Sequence, residues 1–176
     1  MSNIFVCLSA SIECGKSSIN QIVDYIGKNN HTLIYGGGKR GAMGQLSSGV
    51  AEYETPQKVY TIKKYLDDVP DYKNTTVTEC PNLLHRLEAL ITSADVAVVY
   101  PGGLGTAQEL MTLLEWSRAV KHIPIVVINE NGHYDWLVAL FDSWNRQGYT
   151  DKHVNNFCMV VNDFKDAVEF IDSICQ

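Results

Sequence analysis

Three runs of consecutive apolar residues, rich in valine and isoleucine, constrain the fold of this 176-residue chain more than any other feature. They are "NIFVCLS" (3–9), "ADVAVVY" (94–100) and "IPIVVIN" (123–129). A strand that lacks apolar–polar alternation is typically buried on both faces, as in the parallel sheets of α/β proteins. We therefore predict that "ADVAVVY", the most continuous run, is a central strand.

Segments with the helical spacing of apolar residues separate these strands, as at Ile19, Ile22, Val23 and Ile26. Strand–helix alternation predicts parallel β-α-β units and hence a doubly wound, Rossmann-like α/β sheet. Such a sheet binds its ligand beyond the carboxyl ends of its strands. The predicted strands are 3–9, 31–38 (a strand running into a glycine loop), 57–62, 94–100, 123–129 and 156–161, and the predicted helices are 16–30, 42–54, 82–92, 106–120, 134–146 and 163–174.

The segment 63–81 is polar and contains two prolines. We interpret it as a long loop with a short strand near Thr76–Thr78. Long irregular loops in compact domains often cover functional sites. We therefore expect this segment to lie over the ligand.

Length and charge narrow the possible functions. At 176 residues we expect one domain, residues 1–176. A net charge of −6 without a basic run argues against binding a nucleic-acid polymer, whose phosphates demand lysine and arginine. No apolar run approaches the ~18 residues of a membrane span.

The cysteines and the N-terminus favour a cytoplasmic protein. The chain has five cysteines and no C-x-x-C pair, which argues against a zinc site and against a disulfide framework. We therefore expect reduced thiols, no metal and no cofactor. The first ten residues, "MSNIFVCLSA", lack the basic region and long apolar core of a signal peptide.

The stretch "PGGLGTAQE" (101–109) follows the predicted central strand. Gly102, Gly103 and Gly105 expose bare backbone, and we predict that Thr106 begins the next helix. The free N–H groups and the helix dipole would then attract a phosphate. We call Gly102–Thr106 the phosphate loop. Glu109 is a candidate catalytic carboxylate, and the alternative is a capping box between Thr106 and Glu109.

A second glycine-rich stretch, "YGGGKRGAMG" (35–44), follows another predicted strand. Gly36, Gly37 and Gly38 would let a ligand approach the backbone closely, with Lys39 or Arg40 near an anion. We call residues 36–40 the second glycine loop. The alternative is an ordinary turn between a strand and a helix.

A third stretch, Gly15-Lys16-Ser17, matches only the end of a nucleotide-binding P-loop. The opening glycine position is Ala10, which argues against an NTPase. We predict instead that Ser17 or Ser18 caps the first helix.

The helix predicted at 82–92 carries Arg86 and His85. Because it leads into the central strand, it would begin near the carboxyl edge of the sheet, and its early residues would face the ligand crevice. The alternative is a solvated polar face.

"YGGGKRGAMG", an arginine 15 residues before "PGGLGTAQE", and "EWSRAVKHIPIVVINENGHYDWL" together resemble the LONELY GUY (LOG) family, whose members are often mislabelled lysine decarboxylases. Pro101–Glu109 match the family's P-G-G-x-G-T-x-x-E motif at every fixed position, and no pyridoxal-binding lysine motif is present. The resemblance extends from the first strand to about Leu140. It implies a dimeric, Rossmann-like phosphoribohydrolase that releases the base from nucleoside 5′-monophosphates, typically cytokinin-type N6-modified adenylates.

By position, the resemblance implies that Glu109 and Arg86 are catalytic. The implied substrate-binding residues are Gly102, Gly103, Gly105, Thr106, Gly36, Gly37, Gly38 and Ser11. Asp68 falls near a family glutamate that touches the ligand, and Tyr65, Tyr72 or Trp116 could stack on the base. The chain departs from the family at Leu84 and Leu87, which occupy histidine and lysine positions, at Thr112, which replaces a glutamate, and at Arg118, which replaces a glutamine.

The expected function is therefore hydrolysis of the N-glycosidic bond of a nucleoside 5′-monophosphate by a homodimer. Three alternatives remain open. The chain could act on a different base, transfer the (deoxy)ribosyl group to a second base, or carry a nucleotide or cofactor without catalysis.

Overall fold

The computed structural model describes residues 1–11 and 16–175, without the side chains of Lys16 and Ser17. One parallel sheet of seven strands, in the order β4-β3-β2-β1-β5-β6-β7, forms the centre of the molecule. Within the described residues, five α-helices connect strands and a sixth follows the last strand. The elements are β1 (Asn3–Cys7), α1 (Lys16–Lys28), β2 (Thr32–Tyr35), α2 (Gly41–Glu52), β3 (Gln57–Ile62), β4 (Thr75–Cys80), α3 (Leu83–Thr92), β5 (Val96–Val99), α4 (Leu104–Ala119), β6 (Ile125–Ile128), α5 (Asp135–Arg146), β7 (Met159–Val161) and α6 (Val168–Ile174).

The inner strands are buried on both faces, as the apolar runs predict. Every residue of β5 is buried, and β5 lies between β1 and β6. Successive side chains of β1 point to opposite faces, so Ile4 and Val6 pack with α1, α2 and α6, while Phe5 packs with α3, α4 and α5. The predicted doubly wound α/β fold is confirmed.

The strand order reverses direction between β1 and β5. From β1 the chain builds outward through β2, β3 and β4, and it then returns to add β5, β6 and β7 on the other side. The loops after β1, β2 and β5 therefore meet at the carboxyl edge of the sheet. In open α/β sheets this switch point is where ligands bind.

The segment 63–81 is more ordered than the predicted loop. It contains a 3-10 helix at Lys63–Asp68 and a six-residue strand, β4, which pairs with β3 along its whole length. The β-branched residues of "TTVT" favour an extended backbone. Because β4 is an edge strand with mostly exposed residues, it lacks the apolar pattern that marks the other strands.

Other element boundaries differ by a few residues. The predicted last helix is divided into a 3-10 helix at Phe164–Ala167 and α6. Ser18 lies inside α1, where its hydroxyl donates to Glu130 at 3.1 Å, so it does not cap that helix. The rest of the Gly15-Lys16-Ser17 interpretation concerns residues that lie largely outside those described.

Four described cysteines, Cys7, Cys80, Cys158 and Cys175, are free thiols. Among residues 1–11 and 16–175, no helix has the length and apolar character needed to cross a membrane.

Candidate active site

An open cavity of about 1050 Å³ lies at the switch point between β1 and β5. The loops that follow β1, β2 and β5 line it, together with side chains from α3, α4 and the 3-10 helix after β3. Its lining residues are Leu8, Ser9, Ala10, Ser11, Gly36, Gly37, Gly38, Lys39, Arg40, Gly41, Met43, Tyr65, Asp68, Arg86, Gly103, Leu104, Gly105, Thr106 and Glu109.

Glu109 projects from the second turn of α4 into this cavity. The helix begins at Leu104 with Gly103 as its N-cap, two residues earlier than predicted. Glu109 is therefore not at the N3 position, and a capping box with Thr106 is not formed. Its carboxylate is nearly buried, with 9% of the residue exposed, and it faces an arginine instead.

Arg86 reaches the same point from α3. The side chain of Asn82 caps this helix by accepting hydrogen bonds from the N–H groups of Leu84 and His85, each at 3.0 Å. Arg86 then lies one turn into the helix, with its Nη1 3.7 Å from Oε1 of Glu109. The early part of α3 therefore faces the crevice, as predicted, through Arg86.

Two further contacts fix the guanidinium of Arg86. Its Nε donates to the main-chain oxygen of Tyr60 at 3.0 Å. A Cβ at Gly36 would lie only 2.1 Å from Nη2, so the absence of a side chain there makes room for the arginine. Gly36 thus supports the catalytic candidate Arg86, a role that its place in a glycine-rich sequence does not reveal.

The environment of Glu109 changes its acidity. Burial raises the pKa of Glu109 from 4.5 to about 7, and the Arg86 charge and the neighbouring Cys7 thiol partly oppose that rise. Burial also raises the pKa of Cys7, and the charge of Glu109 raises it further, so the thiol stays protonated. Glu109 can consequently gain or lose a proton near neutral pH, which is the property required of a general acid or base.

The phosphate loop presents main-chain N–H groups to the cavity. Those of Leu104, Gly105 and Thr106 belong to the first turn of α4 and so have no intrahelical acceptor. A Cβ added at Gly103 or Gly105 would meet nothing within 4 Å, so both residues face open space. The geometry suits an anion held at the positive end of the helix.

Gly102 differs from the other glycines of this loop, since it does not line the cavity. A Cβ at Gly102 would lie 2.1 Å from Oγ1 of Thr106. The ring nitrogen Nε2 of His133 contacts its backbone, at 2.9 Å from the oxygen and 3.2 Å from the nitrogen. Gly102 therefore permits the close packing that holds the loop in place.

The loop after β1 is bonded to the start of α2, directly after the second glycine loop. Met43 donates its N–H to the Ser9 main-chain oxygen at 3.1 Å, and the Ser11 N–H is bound by the Ser9 hydroxyl at 3.0 Å. Gly37 has a φ of +91°, which favours glycine. Ser11 and Gly36–Gly38 all line the cavity, so the structure brings them together with Arg86 and Glu109.

The 3-10 helix after β3 forms the remaining wall. Tyr65 and Asp68 line the cavity, whereas Tyr72 and Trp116 are not among its lining residues. Lys39 donates to the main-chain oxygen of Asp67 at 2.7 Å. Of the three aromatic residues considered for stacking, only Tyr65 has the necessary position.

Sequence reasoning missed two contacts with the pair formed by Glu109 and Arg86. Cys7 is the last residue of a buried strand, so the sequence pattern predicts only a core residue. The Tyr60 contact uses a main-chain oxygen, which every residue type has, so the sequence does not predict it. Within the described residues no cluster of histidine, cysteine and carboxylate side chains could hold a metal ion.

Comparison with known proteins places this chain in a family. A family model described as "Possible lysine decarboxylase" matches residues 43–171. The chain belongs to this family. The resemblance to LOG proteins is also confirmed by similar curated proteins that carry the name cytokinin riboside 5′-monophosphate phosphoribohydrolase.

Two of these relatives show how distant the similarity is. A probable member from Oryza sativa subsp. japonica is 24% identical over 159 residues, covering 88% of this chain and 65% of the relative. The protein from Rhodococcoides fascians is 27% identical over 152 residues, covering 84% of this chain and 76% of the relative. The chain thus spans less than two thirds of the rice relative's length.

Solved structures share the fold over nearly the whole chain. The molybdenum cofactor binding protein from Rippkaea orientalis has a TM-score of 0.73 at 21% identity, covering 99% of this chain and 98% of that chain. The molybdenum cofactor carrier protein from Chlamydomonas reinhardtii has a TM-score of 0.68 at 16% identity, covering 99% of each chain. At these identities the likeness shows the fold alone.

Proposed function

We propose that this chain hydrolyses the N-glycosidic bond of a nucleoside 5′-monophosphate, releasing the free base and ribose 5-phosphate. The observation that carries the proposal is the pairing of Glu109 with Arg86 at 3.7 Å inside a cavity whose wall also presents the unpaired N–H groups of the phosphate loop. A carboxylate, an arginine and an anion site in one cavity are the groups that such a reaction requires. The named activity of the similar curated proteins supports the same reaction class.

The 5′-phosphate anchors the substrate in this mechanism. The first-turn N–H groups of α4 bind it, with Gly103, Gly105 and Thr106 closest to the ligand. Binding energy from this remote group positions the sugar against the reacting side chains.

Glu109 acts on the anomeric carbon. Cleavage of a ribosyl bond passes through an oxocarbenium-like state with positive charge at C1′. The ionised carboxylate stabilises that charge as the C1′–N bond breaks and the base leaves with the bonding electrons. The carboxylate either attacks C1′, forming an ester that water then hydrolyses, or takes a proton from the attacking water, and in both routes a proton from that water neutralises the released base. Both roles require the ionised form.

Arg86 orients this carboxylate and donates to the ribose hydroxyls. The guanidinium donates to the Tyr60 oxygen and fits against the backbone of Gly36, where no side chain blocks it. Its rigid set of donors is therefore preorganised. Tyr65 lies on the wall where the base would be placed, and it is the candidate for stacking.

Turnover of a panel of common and N6-modified nucleoside 5′-monophosphates, with the free base measured by chromatography, tests this proposal. Removing one preorganised charged partner commonly lowers the rate by about 10²–10³-fold. We expect at least that loss in Glu109→Gln and Arg86→Ala, with unchanged circular dichroism. Glu88→Gln, at an exposed position of α3, is the matched control and should retain full activity. Near-complete turnover by either active-site variant would refute the assignment.

The same measurement separates the alternative reactions. Acceptance of a second base, detected as a new nucleotide when free bases are added, would indicate a ribosyltransferase. A ligand that binds but is never cleaved would indicate a carrier. The carrier alternative is retained because the molybdenum cofactor proteins share this fold, although at 21% and 16% identity that likeness shows the fold alone.

We also propose that residues 1–176 form one domain and that the protein is a homodimer. Exposed apolar side chains near the cavity, Leu104 at 89% and Leu84 at 72% exposure, support a covered surface there. Light scattering coupled to size exclusion measures the mass, and a monomer would contradict the dimer.

A further inference from the structure

The cavity carries more positive charge than the chain as a whole. Among the described residues, three cationic side chains and two carboxylates line it, although the net charge of the sequence is −6. Arg86 faces Glu109, and Arg40 pairs with Asp68 at 3.2 Å. Lys39 donates only to a main-chain oxygen, and within the described residues no carboxylate forms an ion pair with it. Residues 1–11 and 16–175 thus provide no anionic partner for one positive charge in the cavity.

This charge lies far from the phosphate loop. Lys39 and Arg40 are attached to the segment that follows β3, through Asp67 and Asp68. Lys39 and Arg40 themselves follow β2, whereas the phosphate loop follows β5, which is two strands away from β2 in the sheet. Neighbouring strands are about 4.8 Å apart, so the two loops leave the sheet about 10 Å apart. The side chains of Lys39 and Arg40 extend toward the segment after β3, on the side of β2 that faces away from β5. A phosphate makes hydrogen bonds of only about 2.7–3.2 Å, so a phosphate bound to the N–H groups of α4 leaves Lys39 and Arg40, with their side chains in these positions, to a second group of the ligand.

The catalytic pair lies between these two ends. Arg86 contacts the Tyr60 oxygen on β3 and the backbone at Gly36 after β2, and it reaches Glu109 on the helix after β5. A nucleotide whose phosphate is at α4 and whose sugar is at Glu109 therefore extends its base toward Lys39 and Arg40.

Arg40 is free to change partners. Its side chain is 74% exposed, and its ion pair with Asp68 is at the surface, where such pairs contribute little stability. An anionic group on a ligand can replace Asp68 without a large loss.

Building on the function proposed above, we propose that Lys39 and Arg40 recognise an anionic group on the base of the nucleotide, so that the preferred substrate is a 5′-monophosphate whose base carries a carboxylate or similar acid. The second glycine loop then determines specificity, while the phosphate loop and the catalytic pair act on the part common to all nucleotides.

Calorimetric binding to the Glu109→Gln protein tests the inference without consuming the ligand. The probes are AMP with a dicarboxyethyl group on N6, the dimethyl ester of the same compound, and AMP itself. Hydrogen bonds between charged groups lead us to expect about tenfold tighter binding of the free acid than of the ester at low salt. The preference should decline as salt is added, since the cations are exposed.

Variants show whether the two cations cause the preference. Lys39→Met with Arg40→Met should abolish it, and Lys39→Arg with Arg40→Lys should retain it. Lys121→Met with Arg146→Met removes the same charge from exposed positions outside the cavity and should leave it unchanged.

Several results would overturn the inference. Equal binding of acid and ester, or a preference that remains in the double methionine variant, would show that Lys39 and Arg40 do not recognise an anionic group on the base. An equal gain from adenosine 3′,5′-bisphosphate over AMP would place the second anion on the ribose instead. Equal binding of acid and ester refutes only this inference, whereas failure of every monophosphate to bind refutes the proposed function as well.

Discussion

Replacing Glu109 by glutamine should stabilise the folded protein above neutral pH, while it removes the proposed activity. The carboxylate is buried, and its pKa rises from 4.5 to about 7 because burial outweighs the help of Arg86 and Cys7. At about 1.36 kcal/mol for each pH unit, the ionised carboxylate is about 3 kcal/mol less stable in the folded than in the unfolded chain. Glutamine has nearly the same shape and carries no charge at any pH.

The sign of the pH dependence follows from the direction of the pKa change. Between about pH 4.5 and 7 the folded state binds the proton of Glu109 more tightly than the unfolded state does, so the free energy of unfolding falls as the pH rises through this window. The wild type is therefore penalised by about 1 kcal/mol at pH 5 and by about 3 kcal/mol at pH 8. The Glu109→Gln protein does not lose this stability at either pH, because glutamine does not ionise.

Urea denaturation of both proteins at pH 5 and pH 8 measures this effect. We expect the advantage of Glu109→Gln to increase by about 2 kcal/mol between the two pH values, and its Tm at pH 8 to exceed that of the wild type by roughly 6–12 °C. Glu88→Gln makes the same chemical change at an exposed site and should differ from the wild type by less than about 0.5 kcal/mol at both pH values. An advantage that does not grow with pH would refute the idea that a buried, unfavourable charge occupies this site.

The remaining predictions concern activity. The rate kcat/KM should rise with pH and reach a plateau above an apparent pKa of about 7, because the ionised form of Glu109 is the active one; a profile that falls through this range would contradict that role. Gly36→Ala places a Cβ 2.1 Å from Nη2 of Arg86 and should lower kcat by at least about tenfold, whereas Gly103→Ala adds a Cβ in open space and should leave the free energy of unfolding unchanged. Equal activity of Gly36→Ala and wild type would show that the position of the guanidinium does not matter. Nucleosides without the 5′-phosphate should be poor substrates, and equal rates with and without it would refute the role of the phosphate loop.

The sequence predicts the sheet well because its inner strands must be apolar on both faces. The run at 94–100 marks β5, which is fully buried between two neighbours. The edge strand β4 is harder to find, since its side chains are mostly exposed and no burial pattern marks it. A strand can therefore be predicted from the sequence when its side chains are buried, and β-propensity alone is a weaker signal.

The candidate site is only partly predictable for a similar reason. Motif spacing and resemblance identify Glu109 and Arg86, but they do not show that α4 begins at Leu104, which turns Glu109 toward the arginine rather than into a cap. The start of a helix among glycines depends on tertiary contacts, as the contact between the His133 ring and the Gly102 backbone shows. The space that Gly36 leaves for Arg86 is likewise a long-range contact that no local pattern encodes.

The central claim is that Glu109 lies beside C1′ of a nucleotide whose phosphate is bound at the start of α4. A crystal structure of Glu109→Gln with an uncleaved nucleoside 5′-monophosphate tests it most directly. We predict the glutamine side chain within about 3–3.5 Å of C1′, or of a water poised to attack it, and the phosphate on the N–H groups of residues 104–106. A nucleotide bound with its phosphate elsewhere, or with its sugar out of reach of residue 109, would contradict the account.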